Sequence, residues 1–146
     1  MQISTKGRYA LRAMIDLGLQ MDQGPVLRKD IAERQEISYD YIGQLFVELR
    51  KAGFIESVKG PGGGYVLAQD AGKITAGDII RAVEGPIALV QCVRPNQEYV
   101  CHRMDGCVTY LLWKRLSKTV EEVLDSITLK DLCDQAREFA KEAARA

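Results

Sequence analysis

A chain of 146 residues, 47% of them hydrophobic, is long enough to bury one real core and to carry an appendage beside it. Its 20 basic and 20 acidic side chains cancel, which excludes the broad basic surface of many nucleic-acid binders and confines any basic footprint to a local patch. No apolar run is long enough to span a bilayer and no signal peptide is read, so the expectation is a cytoplasmic protein with no membrane partner, whose four cysteines are reduced and suited to metal or redox chemistry.

In chain order, Ser4 or Thr5 can cap a first helix running to about Met21, with Ala10, Met14, Leu17 and Met21 as its apolar stripe. Gln23-Gly24-Pro25 ends it. The stretch from Arg28 to Tyr65 reads as a helix-turn-helix followed by a two-stranded wing. Ile31, Ile37, Ile42 and Leu45 mark two short helices, and small Ala32 lets the second backbone approach the first. Ser38 can cap the second helix. Beyond it, Ile42, Leu45, Phe46 and Leu49 face the core, which leaves Tyr39, Asp40, Gly43, Gln44, Val47 and Glu48 outward, where a recognition helix meets base edges. Glu36 occupies a turn position at which glycine would be easier. Phe54–Lys59 and Tyr65–Leu67 are β-compatible, and Gly60-Pro61-Gly62-Gly63-Gly64 between them is a hairpin loop. Lys59 at its base can reach a phosphate or a narrow minor groove. The first sixty residues hold nine basic and eight acidic groups, so a basic patch must be assembled from Lys6, Arg8, Arg28, Lys29, Arg50, Lys51 and Lys59.

Thr75 and Asp78 form a capping box for a short helix carrying Ile79, Ile80, Ala82 and Val83, closed by Gly85-Pro86. From Ile87 to Gly106 the periodicity fails, and such long loops are usually functional or disordered. Helical spacing returns from Val108 to Leu124, with Leu112, Leu116, Val120 and Val123 as one stripe, widened by Trp113 and Leu124. A helix with this much apolar surface and few neighbours to cover it points to packing against a second copy. Thr128 and Asp131 form a second capping box for a last helix, whose tail from Ala136 is expected to fray.

Cys92, Cys101 and Cys107 are separated by eight and then five intervening residues in and at the end of the irregular stretch. Three thiols in one loop suit a soft metal centre, and no C-x-x-C pair marks a zinc ribbon. A cluster normally takes four protein ligands. His102, the only histidine, is one candidate for the fourth; Asp105, Tyr110 or a group near Arg8 of a second copy are others. A zinc site and a Cys101–Cys107 disulfide are the competing readings. Cys133 reads as a small core residue. One histidine and no visible base–nucleophile pair leave little for an enzyme, and no small-molecule substrate is expected.

The segments STKGRYALRAM, IAERQEIS, QLFVELRKAGF and VKGPGGGY, with C-x8-C-x5-C before LLW, resemble the IscR-like iron–sulfur cluster regulators among the Rrf-type winged-helix transcription factors, a group that includes the nitric-oxide sensor NsrR. The resemblance covers nearly the whole chain. It implies a mostly α fold with a small β-hairpin: a winged helix-turn-helix DNA-binding domain over residues 1–85, a cysteine-rich cluster loop over 86–107, and a dimerisation helix with a C-terminal helix over 108–146. It implies a homodimer on a double-stranded palindromic operator and an iron–sulfur cluster on Cys92, Cys101 and Cys107, 2Fe–2S in the first instance and 4Fe–4S as the alternative. Cluster loading would alter which promoters are bound, typically those of cluster-assembly genes. At matching positions Ser38, Tyr41 and Gln44 would reach the major groove and Lys59 and Gly60 the minor groove; Arg28, Tyr39 and Gly62 complete the expected DNA-binding set. The pattern departs at four places: the first cysteine gap is longer than usual and is followed by His102, Tyr110 stands where a histidine ligand is usual, Gly43 where a glutamate is usual, and Lys59 where an arginine is usual.

Overall fold

The computed structural model describes residues 2–95 and 98–146. Helix α1 (Thr5–Gln20) is the post around which the rest is built. Ser4 caps it, and Ala10, Ala13, Met14 and Leu17 along one face are inaccessible to solvent. Helices α2 (Arg28–Gln35) and α3 (Tyr39–Lys51) form the expected helix-turn-helix. The turn between them is made by Glu36 in the left-handed region, φ 54°, a conformation that costs a non-glycine residue roughly 1–2 kcal/mol. Its N–H returns to the carbonyls of Ala32 and Glu33, so the turn still closes α2. Ser38 accepts from Tyr41 N–H at 3.1 Å and starts α3. Ile42, Leu45, Phe46 and Leu49 are buried, as their spacing predicts.

Strands β1 (Ile55–Val58) and β2 (Gly64–Leu67) pair antiparallel, with Ile55 opposite Leu67 and Val58 opposite Gly64. Val26 adds a bridge on the other side of the wing, exchanging backbone hydrogen bonds with Tyr65 at 2.8 and 2.9 Å. That approach explains Gly64. Its φ is 150°, and a Cβ there would run into the Val26 carbonyl. The Phe46 and Tyr65 rings meet edge to face at 4.7 Å, which fixes the wing against α3.

Helix α4 (Ala76–Glu84) and helix α6 (Leu129–Arg145) both start with the expected capping boxes, complete in each case. The two boxes stand side by side. Thr75 and Thr128 form an isolated antiparallel bridge, flanked by Ala76 N–H to the Ile127 carbonyl (2.8 Å) and Leu129 N–H to the Ile74 carbonyl (2.7 Å). The first turns of α6 therefore return to the core, and Leu129 and Cys133 are buried in the same cluster as α1. Cys133 is the small core residue the sequence implies, its thiol against the Ile15 carbonyl at 3.7 Å. Helix α6 continues as one helix to Arg145, through the tail from Ala136. Lys130–Asp134, Arg137–Asp134 and Lys141–Glu138 pairs line it at helical spacing and favour continuation.

Helix α5 (Val108–Asp125) packs along α4 by one side only, and Ser117 is its single buried residue. Arg81 on α4 bridges to it, to Glu121 at 3.1 Å and Asp125 at 2.5 Å.

Candidate nucleic-acid interface and cysteine loop

Helix α3, the second of the helix-turn-helix, presents two flanks. On one, Tyr41 is half-buried and meets Tyr9 of α1 edge to face at 5.8 Å, with the Arg8 and Arg12 guanidiniums over the Tyr9 ring at 5.9 and 5.2 Å. On the other, the Arg28 guanidinium lies 3.6 Å from the centroid of the Tyr39 ring and against Gly43. Ser38, Tyr39, Asp40, Gln44, Val47 and Glu48 are exposed between and around them. The structure thus sets Arg28, Ser38, Tyr39 and Gln44 around the start of α3, with Tyr41 on the opposite flank from Arg28 and Tyr39. Tyr41 is the least free of these, because its ring is already engaged.

Lys59, Gly60 and Gly62 lie exposed at the wing tip. Gly60 and Gly62 have φ of 89° and 75° with open space where a Cβ would stand, so their backbone is bare and approachable. Gly63 is different: a Cβ there would collide with the Val58 carbonyl, so this glycine closes the hairpin and is not part of the tip surface.

A polar network of Asp16, Arg34, Gln35 and Arg12, not foreseen from the sequence, holds the head in shape. Asp16 on α1 is 4% exposed and accepts a forked pair from Arg34 on α2, at 2.7 and 3.0 Å, and a third hydrogen bond from the Gln35 amide at 3.0 Å. The pairing raises the Arg34 pKa further above its ordinary value through that hydrogen bond. Arg12, one turn earlier, donates to the Gln35 carbonyl and covers the C-terminal end of α2. The available signal is Asp16 itself, a carboxylate set among Ala13, Met14 and Leu17 on a buried face.

The cysteine segment is fastened to α5 at both ends. Leu89 N–H donates to the Ser117 hydroxyl at 3.1 Å, and Cys107 is the residue that opens α5. Between them Cys92 sits in a 3-10 turn (Gln91–Val93), and Cys101 starts a turn closed by Met104 N–H to its carbonyl at 3.0 Å. All three cysteines are half-buried and unpaired; His102 and Asp105 are exposed, and Tyr110 is half-buried. Among the described residues no group of three or more His, Cys, Asp and Glu side chains is drawn together closely enough to hold a metal ion. The donor set has the chemistry of a soft metal site; its members are not gathered.

The thiols also differ in reactivity. The Cys107 pKa is lowered, first by the Thr109 hydroxyl 3.2 Å away and then by backbone N–H groups of Tyr110 and Thr109 and the charge of Arg103. Burial raises that of Cys133.

On α5, the predicted stripe is divided. Leu116 and Val120 are half-buried toward the body, whereas Leu112 and Val123 are 52% and 53% exposed. Val108 and Leu111 are exposed beside Leu112 and extend the bare face. No helix among the described residues is long and apolar enough to cross a membrane.

Comparison with known proteins agrees with this architecture. A family model, Rrf2, described as iron-dependent transcriptional regulator, matches residues 3–135. The transcriptional regulator IscR of Klebsiella pneumoniae is 45% identical over 132 residues, 90% of this chain and 79% of that protein. Among solved structures, CymR, the global cysteine regulator of B. subtilis, superposes with a TM-score of 0.78 at 43% identity, covering 92% of this chain and 98% of that one. The IscR of T. potens superposes at 0.77 and 43%, covering 94% and 90%. These relatives are transcriptional regulators and not enzymes. The chain belongs to the Rrf2 family of winged-helix transcriptional regulators.

Proposed function

We propose that this protein is a homodimeric regulator that binds a palindromic operator and senses iron–sulfur cluster status, 2Fe–2S in the first instance, to control cluster-assembly or related genes. The working division is a reading head over residues 1–85, a sensing loop over 86–107 and a joining element over 108–146. The observation that carries it is the position of Cys92, Cys101 and Cys107 on one segment anchored at both ends to α5. Thiolates of these three would hold the cluster, with His102, Asp105, Tyr110 or a second copy supplying the remaining position, and the cluster would give the loop its sensitivity to iron and oxidants.

What the chain's own residues contribute is a transmission path. Drawing the three thiols together orders the segment that leads into the first turn of α5. Arg81 ties α5 to α4 through Glu121 and Asp125, and α4 packs on α1 and α3. The bare face of Val108, Leu111, Leu112 and Val123 is the proposed contact between copies. The angle between the two heads, and so the half-site spacing, then depends on the order of the loop. Anaerobic purification with iron and acid-labile sulfide analysis tests the sensing half. A brown protein whose iron is lost on Cys92→Ala, Cys101→Ala or Cys107→Ala supports it; an iron-free protein overturns it.

A thiol sensor without metal is the second reading, favoured by the lowered pKa of Cys107. A Cys101–Cys107 disulfide formed under mild oxidation of an iron-free protein, with altered operator affinity, would establish it.

A further inference from the structure

Arg28 lies on α2, yet its side chain occupies the surface of α3. Its guanidinium is stacked on Tyr39 at 3.6 Å, and the space it fills is the space a side chain at position 43 would need. A Cβ on Gly43 would overlap the Arg28 Nη1 atom. Gly43 comes one helical turn after Tyr39, so the two make a flat seat on the flank that borders Asp40, Gln44 and Val47, the outward face of the recognition helix. Arg28 enters none of the ion pairs formed among the described residues. A stack on an aromatic ring engages the face of the guanidinium and leaves its in-plane N–H donors free.

We infer that Arg28, delivered from α2 and held by Tyr39 over Gly43, is a base-reading residue of this head, donating a forked pair of hydrogen bonds to the O6 and N7 of one guanine in each half-site. The seat removes most of the freedom an arginine would otherwise lose on binding, and a planar fork at fixed height is the shape that guanine's major-groove edge accepts. Gly43 is then a specificity position through its lack of a side chain, and Tyr39 is a positioning residue. This inference rests on the proposal that the head binds an operator, and adds to it the identity of one reader and the base it reads.

The test begins with selection of duplexes from a randomised pool by the wild-type protein. Affinity for the selected duplex, and for its variants at each base pair, is then measured across a salt series for wild type, Arg28→Ala, Arg28→Lys, Gly43→Ala and Arg28→Ala/Gly43→Ala. Arg28→Ala is expected to lose roughly tenfold to a hundredfold on the selected duplex and to become indifferent to base identity at one G·C pair per half-site. Arg28→Lys, which keeps the charge, should lose the same discrimination. Gly43→Ala, which displaces the guanidinium, should relax the same pair, with no further loss in the double variant. Arg28→Ala binding all duplexes more weakly, with a flatter salt dependence and unchanged base preferences, would make Arg28 a phosphate contact and overturn the inference while leaving operator binding intact. Unaltered binding would reduce Arg28 to a clamp between α2 and α3 and overturn it equally. A wild-type protein that selects no duplex would overturn operator binding first, and the inference with it.

Discussion

Removing Arg34 should damage the fold more than its half-exposed position implies, because of the group it leaves behind. Asp16 is 4% exposed, so Arg34→Leu strands a carboxylate in the joint between α1 and α2 with only the Gln35 amide to answer it. Breaking a fully buried ion pair costs about 3–5 kcal/mol. The Arg34 side chain is 39% exposed, so water already screens this pair in part, and the expected loss falls to about 2–3 kcal/mol. At an m-value of about 2 kcal/mol per molar urea, that moves the unfolding midpoint down by about 1 M. The double variant Asp16→Asn/Arg34→Leu removes the stranded charge and should recover part of the loss, whereas additive independent contributions would make it the least stable of the set. Urea unfolding monitored by circular dichroism measures all four corners of this cycle. An Arg34→Leu midpoint equal to wild type, or a double variant less stable than Arg34→Leu, would refute the view that Asp16 is held by its partner.

The remaining predictions concern surfaces and thiols. Leu112→Asp places a charge on the exposed α5 face and should give a folded monomer by analytical ultracentrifugation, with the helical spectrum of wild type; an unchanged dimer would mean that copies meet elsewhere. Lys59→Ala should weaken operator binding across sequences and reduce the slope of log affinity against log salt by about one, which a salt titration reads directly. In the iron-free protein, Cys107 should alkylate with iodoacetamide at lower pH than Cys133. The Cys107 pKa is depressed, so its thiolate is present below the ordinary cysteine range, whereas that of Cys133 is raised by burial and its thiolate appears only above it. Peptide mapping after brief labelling at two pH values separates them.

Local patterns carried most of the fold. The helix-turn-helix was legible because Ile31 and Ile37, with small Ala32, bracket the first helix and its turn, Ile42, Leu45, Phe46 and Leu49 repeat at helical spacing, and Ser38 caps the second helix. Thr75–Asp78 and Thr128–Asp131 were legible because a capping box is closed within one turn. The features the sequence hid are made between distant residues or by backbone alone. The bridge from Val26 to Tyr65 uses only main-chain groups and leaves no mark on side-chain choice. Asp16 finds Arg34 across a helix boundary, and nothing in either neighbourhood names the other. The seat of Arg28 depends on Gly43, a residue whose part in it is the absence of a side chain. The tail of α6 from Ala136 is rich in Ala, Lys and Glu, a composition that forms helix readily, and the helix carries through it to Arg145. The cysteine triad was legible as a donor set; its spacing on either side of an irregular segment says nothing of whether the thiols meet.

The central claim is that reading of DNA by the paired heads depends on how the segment between Leu89 and Cys107 is held. Its most direct measurement is the affinity of one anaerobic preparation for a panel of selected operators, at fixed salt, before and after removal of its iron. The two forms are expected to rank the operators differently. Identical affinities across the panel would contradict the claim.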